Sequence, residues 1–427
     1  MTAHVINTNG HEVTLQVTVD LSGTMFEAEG RIQEACNNVG MLASAEALKR
    51  FDTDGSPIIM GAIKWTKRCV SPKTYQTPYG AIEVERNVYQ TSQGGRIYCP
   101  LEASARIIRH ATPRFAQMLS HKYSQMNVNA VCGDLRENHG RQIAASYVQN
   151  TADWVGGIAC AKEERWDDVT PEFDTALPSV AISLDGAMLA MKEDGWREAM
   201  VGSLSLYAPD GARVHTIYVG EAPQAGKDTF HQRMVREIER VKAAYPDALY
   251  LGIADGAASN WAFLEPHTDR QLLDYFHAAE YLPHLAMAAY PGKTDKPKRE
   301  QWLHDHRHRL KHESGAVDTL IKEAERLMNK RSLGKTVKDN LQAALTYFTN
   351  QRARMDYPAH LAEHLPIGSG VIEAACKTLV KQRLCGAGMR WKHQGAKIVL
   401  SLRALVQSSG RWAQFWNKID QFGAQPC

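Results

Sequence analysis

The chain has 427 residues, 44% hydrophobic and 23% charged, with a net charge of +3, the make-up of a folded protein with room for two or three cores. No apolar run approaches the roughly 18–20 residues that cross a bilayer, and the opening MTAHVINTNGHEVTLQV lacks the basic-then-apolar pattern of a secretory signal. A cytoplasmic protein with no membrane partner is therefore expected. The eight cysteines contain no CxxC pair and support neither a disulfide framework nor a full zinc ribbon. Cys69 and Cys99 read as buried thiols or as half of a metal site.

In chain order, residues 1–105 combine an amphipathic helix from Met25 to Phe51 with the hairpin-like TYQTPYGAIEVERNVYQT. There Ile82, Val84 and Val88 alternate with Glu83, Glu85 and Asn87, while Arg86 and Tyr89 fit neither phase clearly. Residues 106–170 read as helical: one helix after Thr112-Pro113, a second through NAVCGDLREN, a break at His139-Gly140, and a third from about Gln142. Helix, glycine turn and helix suit a helix-turn-helix that enters the major groove of DNA, and suit a plain bundle equally.

Residues 171–292 carry the strongest fold signal. SVAISLDGAML is an apolar strand, and two further strands flank Pro209-Asp210-Gly211. A helix follows with Phe230, Met234, Ile238 and Val241 at helical spacing. ALYLGIADGAASNW returns as a strand, and RQLLDYFHAAEYL as strand then helix. Three antiparallel strands, a helical crossover and two more strands give the order of an RNase H-like α/β core with a mixed five-stranded sheet. Residues 293–362 read as an α-helical insertion, and 363–427 as the closing helices of that core. His304, His306, His308 and His312 alternate with charged residues around one helix and read as polar surface.

Asp185 and Asp255 each end an apolar strand and precede a glycine. A helical crossover lays the fourth strand parallel beside the first, which brings the two carboxylates together. Like charges held that close call for a cation, and two hard divalent ions also clamp both oxygens of an in-line phosphoryl displacement. Alone, either aspartate would be a turn residue. For the third ligand the candidates are Asp228, Asp274, Glu280 and Glu373. Asp228 suits a helix dipole, and Asp274, with His277 three residues on, suits an accessory role at the site. Glu373 stands four residues after Ser369, one too many for a capping box. It also heads a segment with no Asp or Glu from Ala374 to Ile419 and nine basic residues.

Together ISLDGAM, GIADGAASNW, LLDYFHAAEYL and PIGSGVIEAACKTLVKQRLCGAGMRW resemble bacterial insertion-sequence transposases of the Asp-Asp-Glu class, in the Kra-type branch related to mutator-like enzymes. The resemblance implies an RNase H-like catalytic core, a triad of Asp185, Asp255 and Glu373, and two Mg²⁺ or Mn²⁺ ions. It also implies element-end and target DNA as partners, at least a dimer during reaction, and a nucleoid location when bound. On a regular helix Lys377 and Lys381 would share the face of Glu373 and hold DNA phosphates, with Arg383, Arg390 and Lys392 nearby. Trp391 would stack on an unpaired base or cap the core. The competing readings are an RNase H-like nuclease without strand transfer and a non-catalytic DNA-binding protein.

Overall fold

The computed structural model describes residues 2–163, 165–224, 226–330 and 333–425. The chain divides into two compact units, one of Met1–Asp168, Lys397–Val406 and Arg411–Cys427, the other of Val169–Ala396 and Gln407–Gly410. The segment 363–427, expected as one piece, is thus shared between them.

The first unit begins with a hairpin that sequence reading did not anticipate, β1 (Thr2–Asn9) and β2 (Glu12–Thr18). Gly10 sits in its turn at φ +57°, and Asn-Gly between alternating segments was the available signal. Helix α1 (Met25–Lys49) opens with a full capping box between Thr24 and Glu27. Strands β3 (Ile58–Met60), β4 (Ile63–Gln76), β5 (Ala81–Thr91) and β6 (Gly94–Tyr98) form an antiparallel sheet in that order. In β5, Arg86 follows the inward phase of Ile82 and Val84, and Asn87 and Tyr89 are buried as well. The Arg86 guanidinium lies 3.7 Å from Glu102, which also accepts from the Tyr75 hydroxyl at 2.9 Å, so a charge is tolerated inside. Cys99 is buried, whereas Cys69 is exposed rather than buried.

The helices of this unit are α2 (Pro100–Ser104), α3 (Pro113–Gln125), α4 (Val128–His139) and α5 (Ala145–Lys162). Asn127 caps α4 through the Ala130 amide at 3.0 Å, and Gly140 ends it at φ +61°. Helix α5 starts three residues later than expected. It buries Val148, Ala152, Val155 and Ile158 and carries a single basic residue, Lys162.

In the second unit β7 (Ser179–Met191), β8 (Gly195–Tyr207) and β9 (Arg213–Glu221) form an antiparallel meander. Gly211, at φ +81°, makes the β8–β9 turn. Helix α6 (Asp228–Ala244) buries Phe230, Met234, Ile238 and Val241 as its periodicity predicts. The chain returns as β10 (Leu249–Ala254), α7 (Ala258–Leu264) and β11 (Arg270–Leu273). Both β10 and β11 are parallel additions, giving a mixed α/β unit with sheet order β11-β10-β7-β8-β9.

Helices α8 (Tyr275–Glu280), α9 (Leu282–Ala289), α10 (Lys296–His312), α11 (Ala316–Met328), α12 (Lys335–Gln351) and α13 (Tyr357–Ala362) follow. Leu320, Leu341, Phe348 and Tyr357 join the same apolar core as the sheet, so these helices are built onto it and not around a core of their own. His304, His308 and His312 are exposed. His306 is not surface: it stacks on Trp302 at 3.6 Å and meets Glu323 at 3.2 Å. Then come α14 (Gly370–Ala375), a π-helical segment Cys376–Lys381, and α15 (Gln382–Leu384).

The chain closes with α16 (His393–Gln407) and α17 (Arg411–Phe422). Arg411, 3% exposed, meets Asp168 at 2.5 Å, and Lys418 meets the other oxygen of that carboxylate at 2.8 Å. Burial works against the Asp168 charge, but Arg411 and Lys418 outweigh it and hold the carboxyl below its ordinary 3.8. Folding therefore gains from the ionised form at neutral pH, and that gain disappears as pH falls through the lowered native value. Asp168→Asn is expected to destabilise this unit by about 2–4 kcal/mol at pH 7, measured by urea unfolding, because it removes the buried negative charge that Arg411 and Lys418 share. The gap between variant and parent should begin to close below about pH 4 and vanish only below the lowered native value of Asp168.

Candidate active site

The register of β10 against β7 places the two aspartates. Leu249 pairs with Ser179 and Gly252 with Ile182, so Asp255 and Asp185 each stand three residues beyond the last matched pair, at equal depth on adjacent parallel strands. Asp185 does not end its strand as expected. The antiparallel ladder to β8 continues through Asp185↔Val201 to Met191↔Gly195, and only the pairing with β10 stops short of it. The β11 register, Ala254↔Leu273, brings Asp274 beside Asp255 in the same way.

Each carboxylate has its own support. Asp185 accepts from the Gly186 amide at 2.7 Å and from the Cys376 thiol at 3.4 Å. Burial raises its proton affinity above the ordinary value; those two hydrogen bonds oppose the rise, and the negative charge of Asp255 adds to it. Asp255 accepts from the Ala257 amide at 3.1 Å and from Asn260 Nδ2 at 3.3 Å, and the same amide group reaches the Leu184 carbonyl at 3.4 Å, linking the two strand ends. Burial first, then the neighbouring Asp185, pushes the Cys376 thiol far up, so it stays protonated as a donor.

Glu373 lies on α14, and the Ser369 side chain makes no cap to that helix, in keeping with the four-residue gap. Its carboxylate is about half exposed and lies 3.7 Å from His277 Nε2; His277 Nδ1 lies 3.7 Å from Glu280. Asp274 is fully buried and does not face the others as a ligand would. One oxygen accepts from the Phe276 and His277 amides at 2.6 and 2.9 Å, and the other accepts from the Ser369 amide. One carboxylate thus caps the helix that carries His277 and anchors the entry to the helix that carries Glu373.

The basic segment divides. Lys377, Lys381, Arg390 and Lys392 are exposed. The face shared by Glu373, Lys377 and Lys381 is not formed as expected, because Cys376–Lys381 winds as a π-helix and loses the 3.6-residue period. Arg383 is 3% exposed and packs over the Trp391 ring at 5.4 Å, so it is no surface contact. Trp391 donates from its indole to the Leu384 carbonyl at 2.9 Å, and its backbone bridges Ala190 and Lys192. Its partners are those of an indole closing the core. Asp228 opens α6. Sequence reading missed Cys376 and Asn260, although both lie inside the quoted motifs, at three residues from Glu373 and five from Asp255.

Asp185, Asp255 and Glu373 carry the oxygen donors that hard divalent ions such as Mg²⁺ or Mn²⁺ take, and a cation would offset the proton affinity of Asp185, raised by burial and further by Asp255. Among the described residues, no group of three or more His, Cys, Asp or Glu side chains is already arranged to hold an ion. Compared with known proteins, the chain matches no family model and no curated protein. The reading of the site rests on its own geometry.

Asp274→Ala would leave three backbone amides without their acceptor. It is expected to cost about 3 kcal/mol or more in urea unfolding of the full chain, and Asp274→Asn, which keeps an acceptor oxygen, clearly less.

Proposed function

We propose that the protein is a DNA transposase of the Asp-Asp-Glu class, cutting the ends of its element and joining the exposed 3′ hydroxyl to target DNA. The observation that carries this reading is the in-register placement of Asp185 and Asp255 on adjacent parallel strands, and the mixed five-stranded order β11-β10-β7-β8-β9 supports an RNase H-like core. Asp185, Asp255 and Glu373 are the residues to hold the divalent ions. When bound, such ions supply an activated oxygen nucleophile and neutralise charge on the phosphate and the leaving oxygen.

The chain's own groups do the positioning. Asn260 keeps Asp255 turned toward the end of β7, and the Cys376 thiol holds one oxygen of Asp185. His277 stands against Glu373 and orients its carboxylate. The exposed cations Lys377, Lys381, Arg390 and Lys392 supply phosphate contacts that fix DNA without reading its sequence.

Asp185→Asn, Asp255→Asn and Glu373→Gln are each expected to lower cleavage of element-end DNA by about 100-fold or more while leaving the thermal transition in place. Cutting is read on uncut duplex that spans an element end and its flank, and joining on precleaved ends with a supercoiled target plasmid. Joined product supports the transposase; cutting without joining leaves a nuclease; three active variants would remove the site assignment. Lys377→Ala and Lys381→Ala should each weaken duplex binding and reduce the slope of log K against log salt by about 1, followed by fluorescence anisotropy.

A further inference from the structure

Beside the Asp255–Gly256 corner lies a groove of about 570 Å³ that the reaction site leaves unused. One wall is an exposed stripe of α12 made of Asp339, Gln342, Thr346 and Asn350, at helical spacing. The rings of Tyr281 and Tyr347 form its aromatic part, stacked 4.0 Å apart and 13° from parallel.

A helix face can be polar for solubility alone, but this one is fastened to the candidate active site. The Tyr347 hydroxyl donates to the Asp255 carbonyl at 2.8 Å, and the Gln351 amide donates to the next carbonyl, Gly256, at 3.1 Å. Gly256 adopts φ +106°, and a Cβ there would come within 3.1 Å of the Tyr347 ring. The close approach of α12 to the aspartate corner thus uses glycine for both conformation and space.

The lining says what the groove takes. It offers carboxamides, a hydroxyl, aromatic surface and one carboxylate, and among the described residues no lysine or arginine lines it. Asp339 repels a phosphate, so the DNA backbone is the wrong occupant. Carboxamides pair with the edge of adenine, a carboxylate accepts from the cytosine amino group, and aromatic faces stack on any base. We propose that this groove binds a nucleobase of the strand whose backbone lies at Asp185 and Asp255, so that α12 reads the sequence next to the cut. The inference rests on the nucleic-acid reading of the site and adds the group that selects the base.

The test has two arms on the full chain. In the first, a branched DNA duplex with 5-iodouracil at an unpaired position beside the junction is irradiated, and cross-linked peptides are mapped. Attachment at Tyr281, Tyr347 or the peptide Lys335–Gln351 is expected; attachment only elsewhere overturns the proposal. In the second, a duplex library randomised beside the junction is cut in Mn²⁺ and the products sequenced. Gln342→Ala and Asn350→Ala should flatten the base preference about tenfold while total cutting stays within about threefold. An unchanged preference overturns the proposal whatever the cross-linking shows. If nothing is cut by the parent protein, the transposase and nuclease readings fall, and the cross-link alone decides the groove. If cutting proceeds with neither cross-link nor altered preference, the groove falls and the active site stands.

Discussion

The candidate site of the second unit depends on one register, that of β10 against β7. Because Gly252 faces Ile182, Asp255 and Asp185 emerge at the same depth. A slip of one residue would turn every side chain of β10 to the opposite face and separate the two carboxylates. The register is held firmly for reasons unconnected with the aspartates. Tyr250, Leu251, Ile253 and Ala254 are all buried. The Leu249 amide bonds the Pro178 carbonyl, and the Tyr250 amide bonds Asp269. Apolar burial thus brings two like charges side by side, an arrangement that electrostatics alone would oppose.

Charge along the C-terminal segment illustrates how far composition can mislead. Nine basic residues and no acid between Ala374 and Ile419 look like one continuous basic surface. Three of them, Arg383, Arg403 and Arg411, are 2–3% exposed. Arg403 donates to the Ser124 carbonyl, while Arg411 and Lys418 share Asp168, more than 240 residues earlier in the chain. The missing acid was present, but distant in sequence. Guanidinium groups suit such internal roles because their planar donors satisfy several acceptors at once.

What was legible in the sequence followed from periodicity. Helix α6, the β8–β9 turn and the apolar runs of β7 and β10 all carry local signals, and their order prescribes the five-stranded sheet. Two kinds of feature escaped. Asp185-Gly186 reads as a strand end, yet β8 extends the ladder six residues beyond it, and pairing partners leave no local trace. Asp274 reads as an accessory at the site, but the form that takes, a brace with three amide donors, depends on Ser369, 95 residues away. The four-residue gap from Ser369 to Glu373 was readable, because capping is a local geometry with fixed spacing.

The π-helical turn at Cys376–Lys381 ties the candidate site to the length of the chain itself. A π turn holds one residue more than the α turn it replaces. Loss of a single residue there would let the segment relax to an ordinary α-helical turn, while everything after it keeps nearly the same phase. The contacts at risk are those inside the turn, where Cys376 meets Asp185, and the directions of Arg390 and Lys392 would be kept. Along this stretch a one-codon deletion is a milder change than the same deletion in a regular helix, where it turns all that follows by about 100°.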